Sequence, residues 1–201
     1  KKINNHVHII TLGCPKNLID SEVMGGLLKK SGCQFVDKAG EADIAIVNTC
    51  AFINPAKEEA IEEILTLAEE KKKRHPTLRI VVAGCLAQRY SPELLAQIPE
   101  IDLLIGTGEV GNIVSHINKL SEHQTRQTAV ITKPDFLMNS RHSRILSSTA
   151  TSAYLKISDG CSNHCSYCVI PSLRGRLRSR QPEDVLQETA LLADRGIKEI
   201  I

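Results

Sequence analysis

Tryptophan is absent, and the 201 residues hold only three phenylalanines and three tyrosines. Aromatics at 3% leave few flat faces on which bases could stack. An excess of one charge is missing too. Against 25 Lys and Arg stand 23 Asp and Glu, a net +2, so the chain as a whole carries no electrostatic footprint for nucleic acid. No apolar run approaches the length of a membrane span, and the first residues lack the pattern of a signal peptide. These absences argue against a membrane or secreted protein and for a cytoplasmic one. The apolar share of 42% is enough for a packed core, in one large or two small domains.

Cysteine, by contrast, is plentiful. Seven is an odd count with no secretory feature beside it, so metal or catalytic use outranks disulfides. Cys161, Cys165 and Cys168 are spaced C-x3-C-x2-C within the run Cys161-Ser162-Asn163-His164-Cys165-Ser166-Tyr167-Cys168. Three thiolates this close can hold three irons of a cubane iron–sulfur cluster and leave the fourth open to chemistry. A ferredoxin supplies a fourth cysteine, and a structural zinc site closes its shell with four ligands; neither is matched here. The bland alternative is a set of packed or incidental cysteines. His164 reads as a loop residue rather than a ligand.

Apolar strands alternate with helical stretches over the first 120 residues, the pattern of a parallel α/β sheet. Strands are expected at His6–Thr11, Asp43–Asn48, Arg79–Ala83 and Leu103–Ile105. Helices are expected at Leu18–Lys30, buried through Val23, Met24, Leu27 and Leu28; after a cap at Asn54 and Pro55, buried through Ile61, Ile64, Leu65 and Ala68; at Ser91–Ile98; and at Asn112–Leu120. Residues 121–150 read as a polar linker with a short hairpin near Ala129–Ile131. A strand over Ala153–Ile157 then leads into the cysteine loop. Pro182 opens a helix with Val185, Leu186, Leu192 and Ala193 buried, Gly196 ends it, and Ile197–Ile201 begins another strand. One such unit cannot close a barrel, so residues 151–201 read as the truncated start of one, inactive alone.

Cys14, Cys50 and Cys85 each follow the carboxyl end of an expected parallel strand. Those ends share one edge, where ligands bind in open α/β sheets. Three thiols there could converge on a second cluster, or could be buried and inert. Cys33 fits neither set and reads as structural.

The triplet, with an aromatic before its last cysteine, resembles the signature of the radical S-adenosylmethionine enzymes. The likeness narrows with Leu12-Gly13-Cys14-Pro15-Lys16-Asn17 and Asp20-Ser21-Glu22, with Val47-Asn48-Thr49-Cys50, and with Ala83-Gly84-Cys85-Leu86-Ala87-Gln88-Arg89. Together with Pro171-Ser172-Leu173-Arg174-Gly175 and Ser179-Arg180, these segments resemble the methylthiotransferases from about residue 8 onward. Gly-Cys-Pro-Lys-Asn after the first strand is similar to their RimO branch; the transfer-RNA branch, MiaB-like, usually carries Gln-Met-Asn where Pro15-Lys16-Asn17 stand here.

That resemblance implies an α/β fold. A flavodoxin-like open parallel sheet (1–120) would precede a linker (121–150) and the first βα unit of a TIM-like radical barrel (151–201). It implies two 4Fe-4S clusters, an auxiliary one on Cys14, Cys50 and Cys85 and a radical one on Cys161, Cys165 and Cys168. S-adenosylmethionine would sit at the open iron, with Tyr167 near its adenine and Arg174 as a further cofactor contact. The reaction implied is methylthiolation of an aspartyl β-carbon on the small-subunit ribosomal protein numbered twelve. One S-adenosylmethionine would methylate a sulfur on the auxiliary cluster. A second, cleaved at the radical cluster, would start hydrogen abstraction and C–S bond formation. No side-chain base has a pKa suited to that C–H bond. A flavodoxin-type electron donor is the expected partner, with RNA contact only through parts outside this chain. No catalytic side chain is assigned.

Arg174, Arg176, Arg178 and Arg180 alternate, so an extended backbone would project all four from one face, as a basic rim or a solvated loop. Asn48 and Thr49 could tune a cluster at Cys50 or merely end the strand. Other readings remain: a zinc-stabilised interaction module, an electron-transfer protein, or a radical enzyme behind a cobalamin-like domain. The last would need a ligating His motif, and none is evident before residue 120.

Overall fold

The computed structural model describes residues 5–122, 127–147 and 151–201. Its centre is a parallel sheet built from β1 (His6–Thr11), β2 (Gln34–Phe35), β3 (Ile44–Thr49), β4 (Arg79–Gly84), β5 (Ile101–Ile105) and β6 (Thr128–Val130). The strand order is β2-β1-β3-β4-β5-β6, and every pair is parallel. This is the flavodoxin-like order, in which the chain runs outward from β1 to β2 and returns to place β3 on the other side of β1. The crevice between the carboxyl ends of β1 and β3 is where such sheets take ligands.

Local sequence explains the elements. β3 (Ile-Ala-Ile-Val-Asn-Thr) is buried along its whole length, as a strand covered on both faces requires. α1 (Pro15–Ser31) opens on a proline, whose missing N–H costs nothing there. It ends at Gly32 with φ +106, whose N–H returns to Leu28 and Lys29 carbonyls. α1 and α4 (Ile113–Glu122) cover one face of the sheet through Val23, Met24, Leu28, Ile113 and Ile117. α2 (Asn54–Lys73) and α3 (Cys85–Gln97) cover the other through Ala60, Ile64, Leu67, Leu86 and Leu94. No helix among the described residues is long and apolar enough to cross a membrane.

Several expectations are corrected. Asn54 does not cap α2; Ile53 holds the cap position and makes no side-chain bond, so Asn54 is the first helical residue. Leu65 is exposed, and Leu67 takes its place in the core. α3 starts at Cys85 itself and kinks at Tyr90, two residues ahead of Pro92, which cannot donate to the preceding turn. Ala129 lies in no hairpin: β6 pairs in parallel with β5, Leu103–Ile105 against Thr128–Val130.

In the remainder, β7 (Ser152–Ala153) pairs in parallel with β10 (Glu199–Ile200), and α6 (Pro182–Asp194) crosses between them. Of the expected strand Ala153–Ile157, only Ala153 lies in a strand, and residues 154–157 are irregular. They lead into β8 (Ser158–Asp159), which is antiparallel to β9 (Arg178–Ser179). The cysteine loop and α5 (Ile170–Arg174) fill the space between β8 and β9. Within α6, Leu186 and Ala193 are exposed, and Glu188 lies buried beside Leu192 instead.

Candidate metal centres

The register of the sheet places the amino-terminal cysteines. Thr49 pairs with Gly84, so Cys50 and Cys85 stand one residue beyond the same rung of neighbouring strands, which run about 5 Å apart. Cys14 lies beyond β1, the strand on the other side of β3, at the position that caps α1. Between Thr11 and Cys14 the backbone turns through Gly13 at φ +92. A methyl group there would lie 2.4 Å from Cys50 Cβ and 3.1 Å from its Sγ. Only glycine allows this approach. Cys50 and Cys85 are buried and Cys14 is exposed.

Side-chain amides and hydroxyls fix the three loops. Asn17 Nδ2 donates to the Leu12 carbonyl at 3.0 Å and to the Thr49 carbonyl at 2.8 Å, tying the approach to Cys14 to that of Cys50. Asn48 Nδ2 donates to the Asn17 carbonyl and to Ser21 Oγ. Thr49 Oγ1 donates to the Ala83 carbonyl at 2.6 Å and accepts the Leu86 N–H, tying β3 to the Cys85 turn. Asn48 and Thr49 therefore hold the frame that carries the thiols.

The second cysteine group sits on a loop between β8 and α5. Cys161 and Cys168 are half-buried, while Cys165 is exposed. The loop is entered at Gly160, φ +81, where a Cβ would strike the Arg176 carbonyl at 2.2 Å. Two backbone bonds shape it: Cys161 N–H to the Gly175 carbonyl and Cys168 N–H to the Cys165 carbonyl, each 3.0 Å. Tyr167 is 84% exposed and His164 is exposed. Cys33 packs in the core among the residues of α1, with its thiol 3.8 Å from Ser31 Oγ.

Arg174 is not on a rim. It is 3% exposed at the end of α5. Its Nη1 donates to Asp20 Oδ2 (2.7 Å) and Asp159 Oδ2 (3.2 Å), and its Nη2 donates to Asn17 Oδ1 (2.5 Å). Lys156 Nζ joins the same two carboxylates, at 2.5 and 3.2 Å. Arg174 also bears on the titration of the Cys85 thiol. Burial pushes that thiol's pKa up; the charge and hydrogen bond of Arg174 oppose the rise and neighbouring Cys50 adds to it, and the net direction is upward. For Asp159, burial is outweighed by Lys156 and Arg174, and its carboxyl lies below the ordinary range. The four arginines do not share a face: Arg174 and Arg180 are buried in ion pairs, whereas Arg176 is exposed.

Among the described residues no three His, Cys, Asp or Glu side chains converge as ligands of one ion would. A cubane asks for a different arrangement, because each protein sulfur binds its own iron and the sulfurs need not meet at a point. The donor set, three thiols from three neighbouring strand ends and three from one loop, fits that demand. So does the close packing of Gly13 against Cys50, which brings the first two cysteine loops together.

Two family models match the chain: Uncharacterized protein family UPF0004 over residues 6–106, and Radical SAM superfamily over residues 155–201. The chain belongs to family UPF0004. The UPF0004 match contains Cys14, Cys50 and Cys85, and the radical SAM match contains the C-x3-C-x2-C loop. Proteins named ribosomal protein uS12 methylthiotransferase RimO are among its relatives. The one from Syntrophus aciditrophicus is 54% identical over 200 residues, 97% of this chain and 43% of that protein. Those from Pelotomaculum thermopropionicum and Clostridioides difficile are each 47% identical, over 97% and 95% of this chain and 43% and 42% of theirs. The chain thus spans less than half the length of the curated relatives it matches. The likeness to the RimO branch, read from the cysteine flanks, agrees with the names of these relatives.

Sequence reasoning missed the acids and bases that join the two cysteine regions: Asp20, Lys156 and Asp159 in one group, Glu22, Arg144 and Glu188 in another. A signal was present. Asp20 and Glu22 interrupt the apolar side of α1 just where Gly25 and Gly26 thin the helix, and charges there need partners from outside it.

Proposed function

We propose that this chain carries the metal-binding half of a cytoplasmic radical S-adenosylmethionine methylthiotransferase that modifies an aspartyl side chain of ribosomal protein uS12. The observation that carries the reading is the placing of Cys14, Cys50 and Cys85 at the carboxyl ends of adjacent strands β1, β3 and β4, beside a separate C-x3-C-x2-C loop. The names of the relatives favour the ribosomal protein over a transfer RNA as substrate.

In this reading Cys14, Cys50 and Cys85 hold an auxiliary four-iron cluster, and Cys161, Cys165 and Cys168 hold a second with one iron left free. When bound, the clusters and S-adenosylmethionine supply the one-electron chemistry and the sulfur that place a methylthio group on an unactivated carbon. The chain's own residues bind and orient. Thiolate is the ligating form, so metal binding releases the protons of six thiols. Gly13 lets the backbone close on Cys50 and Gly84 lets it close on Asn48 and Thr49, and Asn17, Asn48 and Thr49 keep the three loops in register. Tyr167, exposed beside Cys168, is free to cover a nucleoside at the open iron. A flavodoxin-type protein would deliver the electron, and RNA would be met only by parts outside this chain.

The test is anaerobic reconstitution with ferrous iron and sulfide. About eight irons per chain, from two four-iron clusters, with a spectral change on adding S-adenosylmethionine, supports the reading. Zinc in place of iron, or iron that does not respond, overturns it. The substrate is tested separately by deleting the full-length gene and weighing uS12, which should lose its methylthio group while the modified transfer-RNA nucleosides stay unchanged.

A further inference from the structure

Arg174 and Gly175 are consecutive, yet they serve different cysteine groups. The Gly175 carbonyl accepts the Cys161 N–H at 3.0 Å. The Arg174 guanidinium, one residue earlier, donates at 2.5 Å to Asn17, the residue that bonds the carbonyls of Leu12 and Thr49 before Cys14 and Cys50. Leu173 packs in the same core cluster as Cys85, and its carbonyl accepts from Thr107 Oγ1. Arg174 Nη1 joins Asp20 of α1 to Asp159, which stands two residues before Cys161. Lys156 repeats that joint from the other side. Arg174, Asn17, Asp20, Lys156 and Asp159 are all buried, which shields the bonds among them from bulk water.

We propose that Arg174 is a positioning residue that holds the Cys14, Cys50 and Cys85 edge and the Cys161 loop at one fixed separation, so that the distance between the two metal centres is set by this hub. The inference rests on the two-cluster reading above. The chemistry asks for such a fixture: a methylthio group carried at one centre must lie within reach of a carbon activated at the other, and misplacement by about 1 Å can cost on the order of 100-fold in rate. A planar guanidinium with several donors in a rigid fork suits the task, and lysine does not replace it.

The experiment reads the separation rather than turnover. The chain is loaded anaerobically with iron and sulfide and reduced with dithionite, and the magnetic coupling between the two reduced clusters is recorded by electron paramagnetic resonance. In Arg174→Lys the charge is kept and the fork is lost. Both clusters should assemble at the unmodified iron count, with the coupling pattern shifted or broadened, while Arg176→Lys, at an exposed neighbour, leaves it unchanged. If circular dichroism shows that Arg174→Lys does not fold, Asn17→Ala, which removes the tie from Arg174 together with the Asn17 bonds to the Leu12 and Thr49 carbonyls, should give the same shift. A coupling pattern identical to the unmodified chain in the variant that folds overturns the proposal and leaves the two-cluster reading intact. An unmodified chain that binds only about four irons overturns both.

Discussion

Glu22 Oε2 accepts both the Nε (3.1 Å) and the Nη2 (2.6 Å) of Arg144, a residue 122 positions away. The other carboxylate oxygen of Glu22 accepts the N–H and hydroxyl of Ser147, at 2.9 Å each. Arg144 continues to Glu188, Glu188 to Arg180, and Arg180 to Asp184. One chain of alternating charge thus runs from the first helix of the sheet to α6.

Because Glu22 and Arg144 are 2% and 4% exposed at their side chains, removing one strands the other without water. Arg144→Met leaves Glu22 without a charged partner, while Glu188 keeps Arg180, and should lower stability by about 3–5 kcal/mol, the cost of breaking a buried pair. Urea unfolding checks it. Arg141→Met, at an exposed position nearby, should change the midpoint little.

Gly26 of α1 carries the segment that delivers Arg144. A Cβ at Gly26 would lie 2.0 Å from the Ser143 carbonyl oxygen and 2.7 Å from the Arg144 nitrogen, both backbone atoms that no rotamer change can move. Gly26→Ala should push this segment off the helix at about 1–3 kcal/mol, the usual cost of overpacking. Limited trypsin digestion would then cut after Arg141 or Arg144 faster than in the unmodified chain.

Partial burial works against the Asp184 carboxylate, but the N–H and hydroxyl of Ser140 and the guanidinium of Arg180 outweigh it and hold its pKa down, to about 2. A carboxyl whose folded pKa is lowered adds stability above its unfolded pKa, near 3.9, and loses it as pH falls toward the folded value. The urea midpoint of the unmodified chain should therefore fall between pH 4 and about pH 2 more steeply than that of Asp184→Asn. Parallel acid limbs in the two proteins would show that the ion pair adds nothing.

Cys33 separates structural from ligating cysteines. Its thiol is buried in the core, and burial raises its pKa. Cys33→Ala should leave iron and sulfide content unchanged and cost roughly 1 kcal/mol of stability, a small-cavity effect. A fall in bound iron would place Cys33 among the ligands.

Much of the sheet was legible because β1, β3 and β4 are short apolar runs leading to Gly-Cys or Thr-Cys turns, and Pro15 and Pro55 stand in the first turns of α1 and α2. The strand-end address of Cys14, Cys50 and Cys85 followed from that pattern alone. What stayed hidden was long-range. Period arguments put Leu65 and Leu186 inside because they see only one helix, whereas the neighbours decided for Leu67 and Glu188. Alternation put Arg174 on an extended face, yet five residues there coil into α5, and the side chain turns inward to Asp20, a partner 154 positions away. No local window contains that pairing.

The polar stretch after α4 reads as a tether, and β6 makes it something else. Cutting the chain at residue 120 would strip Thr128–Val130 from Leu103–Ile105 and lay bare the backbone of β5, whose sequence Ile-Asp-Leu-Leu-Ile is the kind of flat apolar edge on which other chains add strands. A piece trimmed where composition changes would be sticky; one carried past Val130 would keep its own selvedge.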